Sequence, residues 1–306
     1  MADQAAPSQQ GIPTRWLFWA PTLIWASTWH VILFQLDSAV PVLNSVAWRF
    51  ALASLLLFGL AAWRGETLRL PASAHWLMLA TGVVQYSGNY WGVYEAERHI
   101  PSGLVAVLFC LMVFGNALSG RIFFGQQVTR RFLLAAAGGV AGVTMIFWPE
   151  IAATGARPTA ALGLTLGLGA VVAACTGNVL TLTLTRRSLP LIPILAWSMG
   201  YGSLFLVFLS LVTGAGLHFD ASLRYVASLL YLTLLGSVAA FVLYFKLAQR
   251  KGAAGAALTG VVIPVIALGI SALLEGWQPT VLAVAGMALC LGCVWLATRA
   301  PAAARA

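Results

Sequence analysis

The polar side chains that interrupt the apolar stretches of this chain are few, and their types suit recognition of a small solute. Arg49 is the one formally charged residue deep inside an apolar run. An unpaired charge in hydrocarbon is costly, so Arg49 must snorkel, pair or face a wet cavity. It could cap backbone carbonyls of a neighbouring helix, or meet the carboxylate of a solute. His30 is either a hydrogen-bonded packing residue or a site residue that could carry a proton. The richest segment holds Thr81, Gln85, Tyr86, Asn89, Tyr90, Trp91 and Tyr94. On a helix Gln85 and Asn89 share one face, and Tyr86, Tyr90 and Tyr94 form a stripe beside it. Amides in lipid need partners, so this face is expected to point into a bundle. Trp25 and Trp29 add a second aromatic pair at i, i+4, and Asn178 a further amide. Trp16, Trp19, Trp91 and Tyr94 lie near the ends of runs, where an interfacial aromatic belt explains them. The candidate solute-binding residues are therefore Trp25, Trp29, His30, Arg49, Tyr86, Asn89, Tyr90 and Asn178.

Other chemistries lack their residues. No GxxxxGK[ST] loop is present, which argues against ATP hydrolysis by this chain. No HExxH occurs, and no His, Cys and carboxylate cluster suggests a metal, so no metal or other cofactor is expected. Cys290 and Cys293 form a CxxC in mid-run with no His or acid beside it, and read as small packing residues. Replacing Cys290 is accordingly expected to be neutral. No Asp or Glu lies deep in a run, so a carboxylate proton relay is not expected and any proton coupling falls to His30. Glu95, Glu97 and His99 are the candidates for a membrane-enzyme centre, but they sit at the end of a run, where solvation explains them.

The elements that carry these residues are ten apolar runs, at roughly 15–35, 41–62, 74–94, 101–123, 131–148, 161–184, 190–213, 225–246, 252–274 and 278–298. Each is near the ~20 residues that a helix needs to cross a bilayer. Sixty per cent hydrophobic and 8% charged residues, with a mean hydropathy of +0.90, describe a chain whose main solvent is lipid. Lys and Arg alternate between the gaps. Arg15, Arg64, Arg69, Arg121, Arg130, Arg131, Arg186, Arg187, Lys246, Arg250, Lys251, Arg299 and Arg305 fall in one set of gaps; the other set holds only Arg98, Arg157 and Arg224. By the positive-inside rule both termini are cytoplasmic. The net charge of +9 is spread over helix ends in ones, twos and threes, which suits anionic headgroups and not a nucleic-acid face.

The chain echoes itself faintly. Ala96, Arg98, Gly103, Val113 and Ser119 recur as Ala248, Arg250, Gly255, Val265 and Ser271, and Ala26, Thr28 and Val31 as Ala174, Thr176 and Val179. The second register sets His30 opposite Asn178. Both place runs 1–5 over runs 6–10, and an odd number per copy inverts the second copy in the membrane, as in many secondary transporters. The expected organisation is a disordered cytoplasmic N-terminus at 1–13, five-helix repeats at 14–149 and 150–299, and a cytoplasmic tail at 300–306. GxxxG pairs at Gly88/Gly92, Gly138/Gly142 and Gly163/Gly167 would let helices approach closely.

Ile24-Trp25-Ala26-Ser27, Trp48-Arg49-Phe50, Leu274-Glu275-Gly276, Pro264 and the Gly-rich fifth and tenth runs together resemble the drug/metabolite transporter superfamily, EamA type. The first half departs from the pattern: it reads Phe123-Phe124-Gly125-Gln126 without the acid, and has Met112 and Val113 where Pro264 has its counterpart. The aromatic-rich helices look most like the aromatic amino-acid exporters. The resemblance implies an all-α integral membrane protein of ten helices, in two inverted repeats around a cavity lined by helices 1, 3, 4, 6, 8 and 9, with 5 and 10 peripheral. It implies a non-enzymatic secondary transporter of a bacterial inner membrane that exports small amphiphilic metabolites, aromatic amino acids included, by alternating access. Its partners would be that solute and membrane lipid; a monomer is compatible with this reading and nucleic acid is not. The alternatives are a drug or other metabolite exporter, a pore, or a membrane enzyme.

Overall fold

Prolines and glycines punctuate the chain into helices. Pro13, Pro41, Pro71, Pro101 and Pro190 each stand just before a helix with extended ψ, where a missing N–H costs nothing. Gly65, Gly125, Gly214 and Gly276 stand at or just beyond helix ends at positive φ, between 65° and 73°, which a side chain would disfavour. A computed structural model describes residues 12–125, 130–152, 158–257 and 259–298. The tails at 1–11 and 299–306, where disorder is expected, and Gln126 lie outside the described residues. Among the described residues there is no β-strand.

In chain order the helices are α1 (Thr14–Leu36), α2 (Val42–Trp63), α3 (72–97), α4 (102–124), α5 (Arg130–Ala152), α6 (Pro158–Thr185), α7 (Leu191–Val212), α8 (223–257), α9 (Thr259–Leu274) and α10 (Val281–Thr298). Six of them hold a stretch long and apolar enough to cross a membrane, in α1, α2, α4, α6, α7 and α8, and α5, α9 and α10 hold shorter apolar stretches. Helix α3 is in neither group, because Thr81, Gln85, Ser87, Asn89, Glu95 and Glu97 dilute its apolar surface.

Large polar side chains are buried beside an apolar core, and large apolar ones cover the outside. Asn44, Arg49, Gln85, Asn89 and Glu97 are buried, whereas Leu55, Leu134, Val172, Leu204 and Leu273 are all at least 66% exposed. Only a lipid surround makes such a surface favourable; in water it would be a continuous sticky patch. The chain is a multi-pass membrane protein.

Packing pairs α2 with α7 and α5 with α10, sets α1 against α8 and α9, and sets α3 against α6 and α7; α4 lies against α9 through its first half and α6 through its second. Two helices contain a π stretch of eight residues, Gly82–Asn89 in α3 and Leu232–Ala239 in α8. Each is held by a serine bonding back five residues, Ser87 Oγ donating to Gly82 O (3.0 Å) and Ser237 Oγ to Leu232 O (3.1 Å). The wider turn shifts side chains off the regular helical face. As a result Gly88 is exposed while Gly92 touches Ala170 of α6, so the two do not act as one GxxxG pair.

The other glycine pairs do form close seams. A Cβ built on Gly142 of α5 would meet Cys290 Sγ at 2.6 Å and Gly286 O of α10 at 2.7 Å, and one on Gly138 would meet Cys293 Sγ at 2.5 Å. The CxxC thiols are thus knobs seated in glycine holes. This corrects the expectation that position 290 tolerates change. Cys290→Leu should lower the thermal unfolding midpoint of the detergent-purified protein, at a cost of about 1–3 kcal/mol for overpacking, and Cys290→Ala should lower it much less.

Candidate functional site

A cavity opens between α1, α2, α3, α4, α6, α8 and α9, with about 970 Å³ of non-protein space counted out to its mouth. Helices α5, α7 and α10 contribute nothing to its described lining. Aromatic rings form much of the wall. Trp25 packs edge-on to Phe241 at 5.3 Å and lies 5.2 Å from Tyr244, and Trp29 meets Phe109 at 5.0 Å. Pro264 has no N–H for the carbonyl of Gly260 one turn back; Cys110 Sγ of α4 donates to it instead, at 3.9 Å. Opposite Pro264, α4 tightens into a 3₁₀ turn at Phe109–Leu111, so both cavity helices are irregular although only one carries the proline.

Arg49 supplies the charge. It is 1% exposed as a residue yet borders the cavity. Its Nε donates to Ser237 Oγ (2.9 Å), in the π stretch of α8, and its Nη1 donates to Tyr94 Oη (3.3 Å). The guanidinium lies 4.7 Å from the Tyr90 ring centre and 5.4 Å from that of Phe50, both within cation–π reach. Arg49 forms no ion pair among the described residues. Tyr94 Oη in turn donates to Gln35 Oε1 (3.1 Å), and Trp25 Nε1 donates to Gly236 O (3.1 Å). Tyr94 is therefore a fully buried partner of Arg49 and not a belt residue. Trp16 and Trp19, by contrast, are well exposed.

Six of the eight candidate residues converge on this cavity: Trp25, Trp29, Arg49, Asn89, Tyr90 and Asn178. Gln85 joins them from the same π stretch as Asn89. Three polar atoms of this lining, Trp29 Nε1, Gln85 Oε1 and Asn89 Oδ1, are buried with no partner among the described residues. Such groups are costly unless something in the cavity satisfies them. Asn178 Nδ2 reaches Asn116 Oδ1 of α4 at 3.4 Å, a long bond that leaves its amide available.

Two candidates lie off the lining. Tyr86 is fully buried between Phe50 and Phe241, at 5.2 and 5.5 Å, and a Cβ on Gly202 would meet its Cβ at 2.9 Å. His30 Nδ1 is paired with Glu275 Oε1 at 3.0 Å, at the end of α9. Glu275 also accepts from the Ser102 hydroxyl, from Ser102 N (3.1 Å) and from Ser271 Oγ (2.9 Å), which tie α4 and α9 together. His30 and Asn178, which the repeat register matches, each have a partner of their own.

Sequence reading also missed a carboxyl group. Glu97, expected to be solvated at the end of α3, is only 6% exposed, and neither of its oxygens accepts a hydrogen bond among the described residues. No local signal distinguishes it from Glu95, which is ion-paired with Arg98 at 3.4 Å on the surface.

Two segments, residues 14–148 and 161–299, each match the model of the EamA-like transporter family. The chain belongs to the EamA-like transporter family. Among curated proteins, it is 25% identical over 253 residues to protein PecM of Dickeya dadantii (strain 3937), covering 82% of this chain and 80% of PecM. It is 20% identical over 268 residues to protein PagO of Salmonella typhimurium (strain LT2), covering 85% and 84%. A crystal structure of another protein superposes with a TM-score of 0.68 at 16% identity, over 93% of this chain and 96% of that one, a likeness of fold alone. An EamA-like chain with this cavity is a membrane transporter of small molecules.

Proposed function

We propose that the protein is a secondary exporter of small amphiphilic metabolites, amino acids with aromatic side chains foremost, working by alternating access in a bacterial inner membrane with both termini cytoplasmic. The observation that carries this is Arg49, a cation with no acidic partner among the described residues, at the edge of an aromatic cavity that also holds unpaired amide and indole groups. A carboxylate suits the guanidinium, an apolar side chain the Trp, Tyr and Phe wall, and an ammonium the oxygens of Gln85 and Asn89. Lipophilic cations are disfavoured, because the described lining carries a positive charge and no acid.

Ten spanning helices in two inverted repeats, 14–149 and 150–299, are part of the proposal. Three observations support it. Family matches occur twice in the chain. The π stretches at 82–89 and 232–239 stand 150 residues apart, each with its serine. Packing of α1 on α8 and α9 is mirrored by that of α6 on α3 and α4, as exchange of helices five places apart requires. Two such halves around a shared cavity are the usual framework of alternating access.

The test is uptake into liposomes of labelled amino acids, amines and sugars, with and without a pH gradient. Saturable, stereoselective flux of aromatic amino acids is expected; flux confined to amines or sugars would refute the substrate class, and large single-channel conductance would refute the carrier. Asn89→Leu should lower the affinity for the transported amino acid while leaving the protein folded. The loss of one orienting hydrogen bond from a desolvated site is about 1–3 kcal/mol, or roughly five- to 150-fold. Initial rates against concentration, with unfolding midpoints as the folding control, measure it.

A further inference from the structure

Glu97 is the group that the transport reading leaves without a role. It ends α3, one helical turn beyond Tyr94, and is buried with both carboxyl oxygens unaccompanied by any described donor. Gln35, which accepts from Tyr94, has its Nε2 buried without a partner too. The ionisable groups whose charges act on Glu97 are Tyr94 on its own helix, Arg49 from α2 and Glu275 just beyond α9. From α1, His30 lies behind Glu275, bonded to it. Near Glu97 on the α3 terminus, Glu95 and Arg98 pair with each other, and His99 rests its Cβ towards Gly163 of α6. The described parts of α4 and α6 carry no Asp, Glu or Lys, and Arg121 at the far end of α4 is their only Arg.

A buried carboxylate with no donors and another acid beside it carries the full cost of desolvation, so the neutral acid is the form this setting holds. The cation that acts on it is Arg49, which is bonded to Tyr94 one turn before Glu97 and which borders the cavity. Arg49 is therefore shared between two anions that cannot both be fully matched by it: the Glu97 carboxylate and a carboxylate in the cavity.

We propose that Glu97 is a proton-binding site that governs the anion affinity of Arg49, so that one proton and one carboxylate-bearing solute bind cooperatively. With the O–H bond of Glu97 formed, the Arg49 charge is available to the solute. When that bond breaks and the proton leaves to water, the Glu97 carboxylate draws on the Arg49 charge and the solute is held less tightly. Linkage makes the effect reciprocal: a solute carboxylate on Arg49 tightens the hold of Glu97 on its proton. This rests on the carboxylate-recognition reading of the cavity. Affinity is highest below the titration of Glu97 and falls as pH rises through it, by at most about tenfold per pH unit for a single proton.

The experiment measures equilibrium binding of L-phenylalanine and of phenethylamine, which lacks the carboxylate, to the full-length protein from mildly acidic to mildly alkaline pH. The infrared carboxylic C=O band of the ligand-free protein is recorded alongside. Wild type should bind phenylalanine more weakly as pH rises. Glu97→Gln should bind it with the acid-limb affinity at every pH, and phenethylamine binding should not follow the wild-type slope. A protonated-carboxyl band at neutral pH should be present in wild type and missing in Glu97→Gln. A flat wild-type profile, or a Glu97→Gln profile that keeps the wild-type slope, overturns the proposal. If phenylalanine binds to neither protein at any pH, the amino-acid reading fails by itself. The infrared band then decides for Glu97: its loss in Glu97→Gln supports the proton site, and its absence from wild type overturns it.

Discussion

Arg49→Leu is expected to abolish measurable transport of carboxylate-bearing solutes. The substitution removes the charge that borders the cavity and leaves Tyr94 Oη and Ser237 Oγ without their donor. Truncating one partner of a buried charge pair costs about 2–5 kcal/mol, so affinity for a carboxylate should fall roughly thirtyfold or more. Arg49→Lys keeps the charge but loses the planar fork that serves Ser237 and Tyr94 together, and should recover only part of the activity. A structural role alone would lower binding of every solute alike. The proposed role predicts a loss confined to solutes with a carboxylate, which competition binding with phenylalanine and phenethylamine resolves.

Gly82→Leu should unfold the protein or lower its thermal midpoint more than any other substitution considered. Gly82 opens the π stretch of α3 and lies directly on α7: a Cβ there would meet Ser198 O at 2.5 Å and Gly202 N at 2.7 Å. These are backbone atoms, which cannot turn aside as a side chain can. Overpacking costs about 1–3 kcal/mol where neighbours can adjust, and a backbone collision belongs at or above the top of that range. Since the π stretch also carries Gln85 and Asn89 into the cavity, solute binding should be lost in any fraction that stays folded. Gly88→Leu is the control, because among the described residues the only atom a Cβ would approach within 4 Å there is Val83 O of the same helix, at 3.5 Å. Thermal unfolding of both variants in detergent measures the difference.

Much of this architecture was legible in composition and punctuation. Prolines and glycines mark the helix ends, apolar runs mark the elements, and the polar segment 81–94 does point inward as amides in lipid must. The aromatic and amide lining was readable for the same reason: Trp25, Trp29, Asn89, Tyr90 and Asn178 are polar or amphipathic groups in places where lipid gives them no partner. What was not legible depends on distance along the chain. The union of His30 with Glu275 spans 245 positions, and the burial of Glu97 comes from helices distant in the chain that pack on the end of α3, α6 foremost. The π stretches escaped because eight residues are too few to reveal a changed period; they move Tyr86 and Gly88 away from the faces that regular spacing assigns. Cys290 was misjudged because its tolerance is set by Gly142 across the α5–α10 seam and not by its own chemistry.

The most direct test of carboxylate transport through this cavity is counterflow of labelled L-phenylalanine in proteoliposomes loaded with the unlabelled amino acid. A carrier with the Arg49 site predicts a transient accumulation of label that L-tryptophan inside the vesicles sustains and phenethylamine does not, and that is absent with Arg49→Leu. Label that merely equilibrates at a rate linear in concentration, or an overshoot that survives in Arg49→Leu, would contradict it.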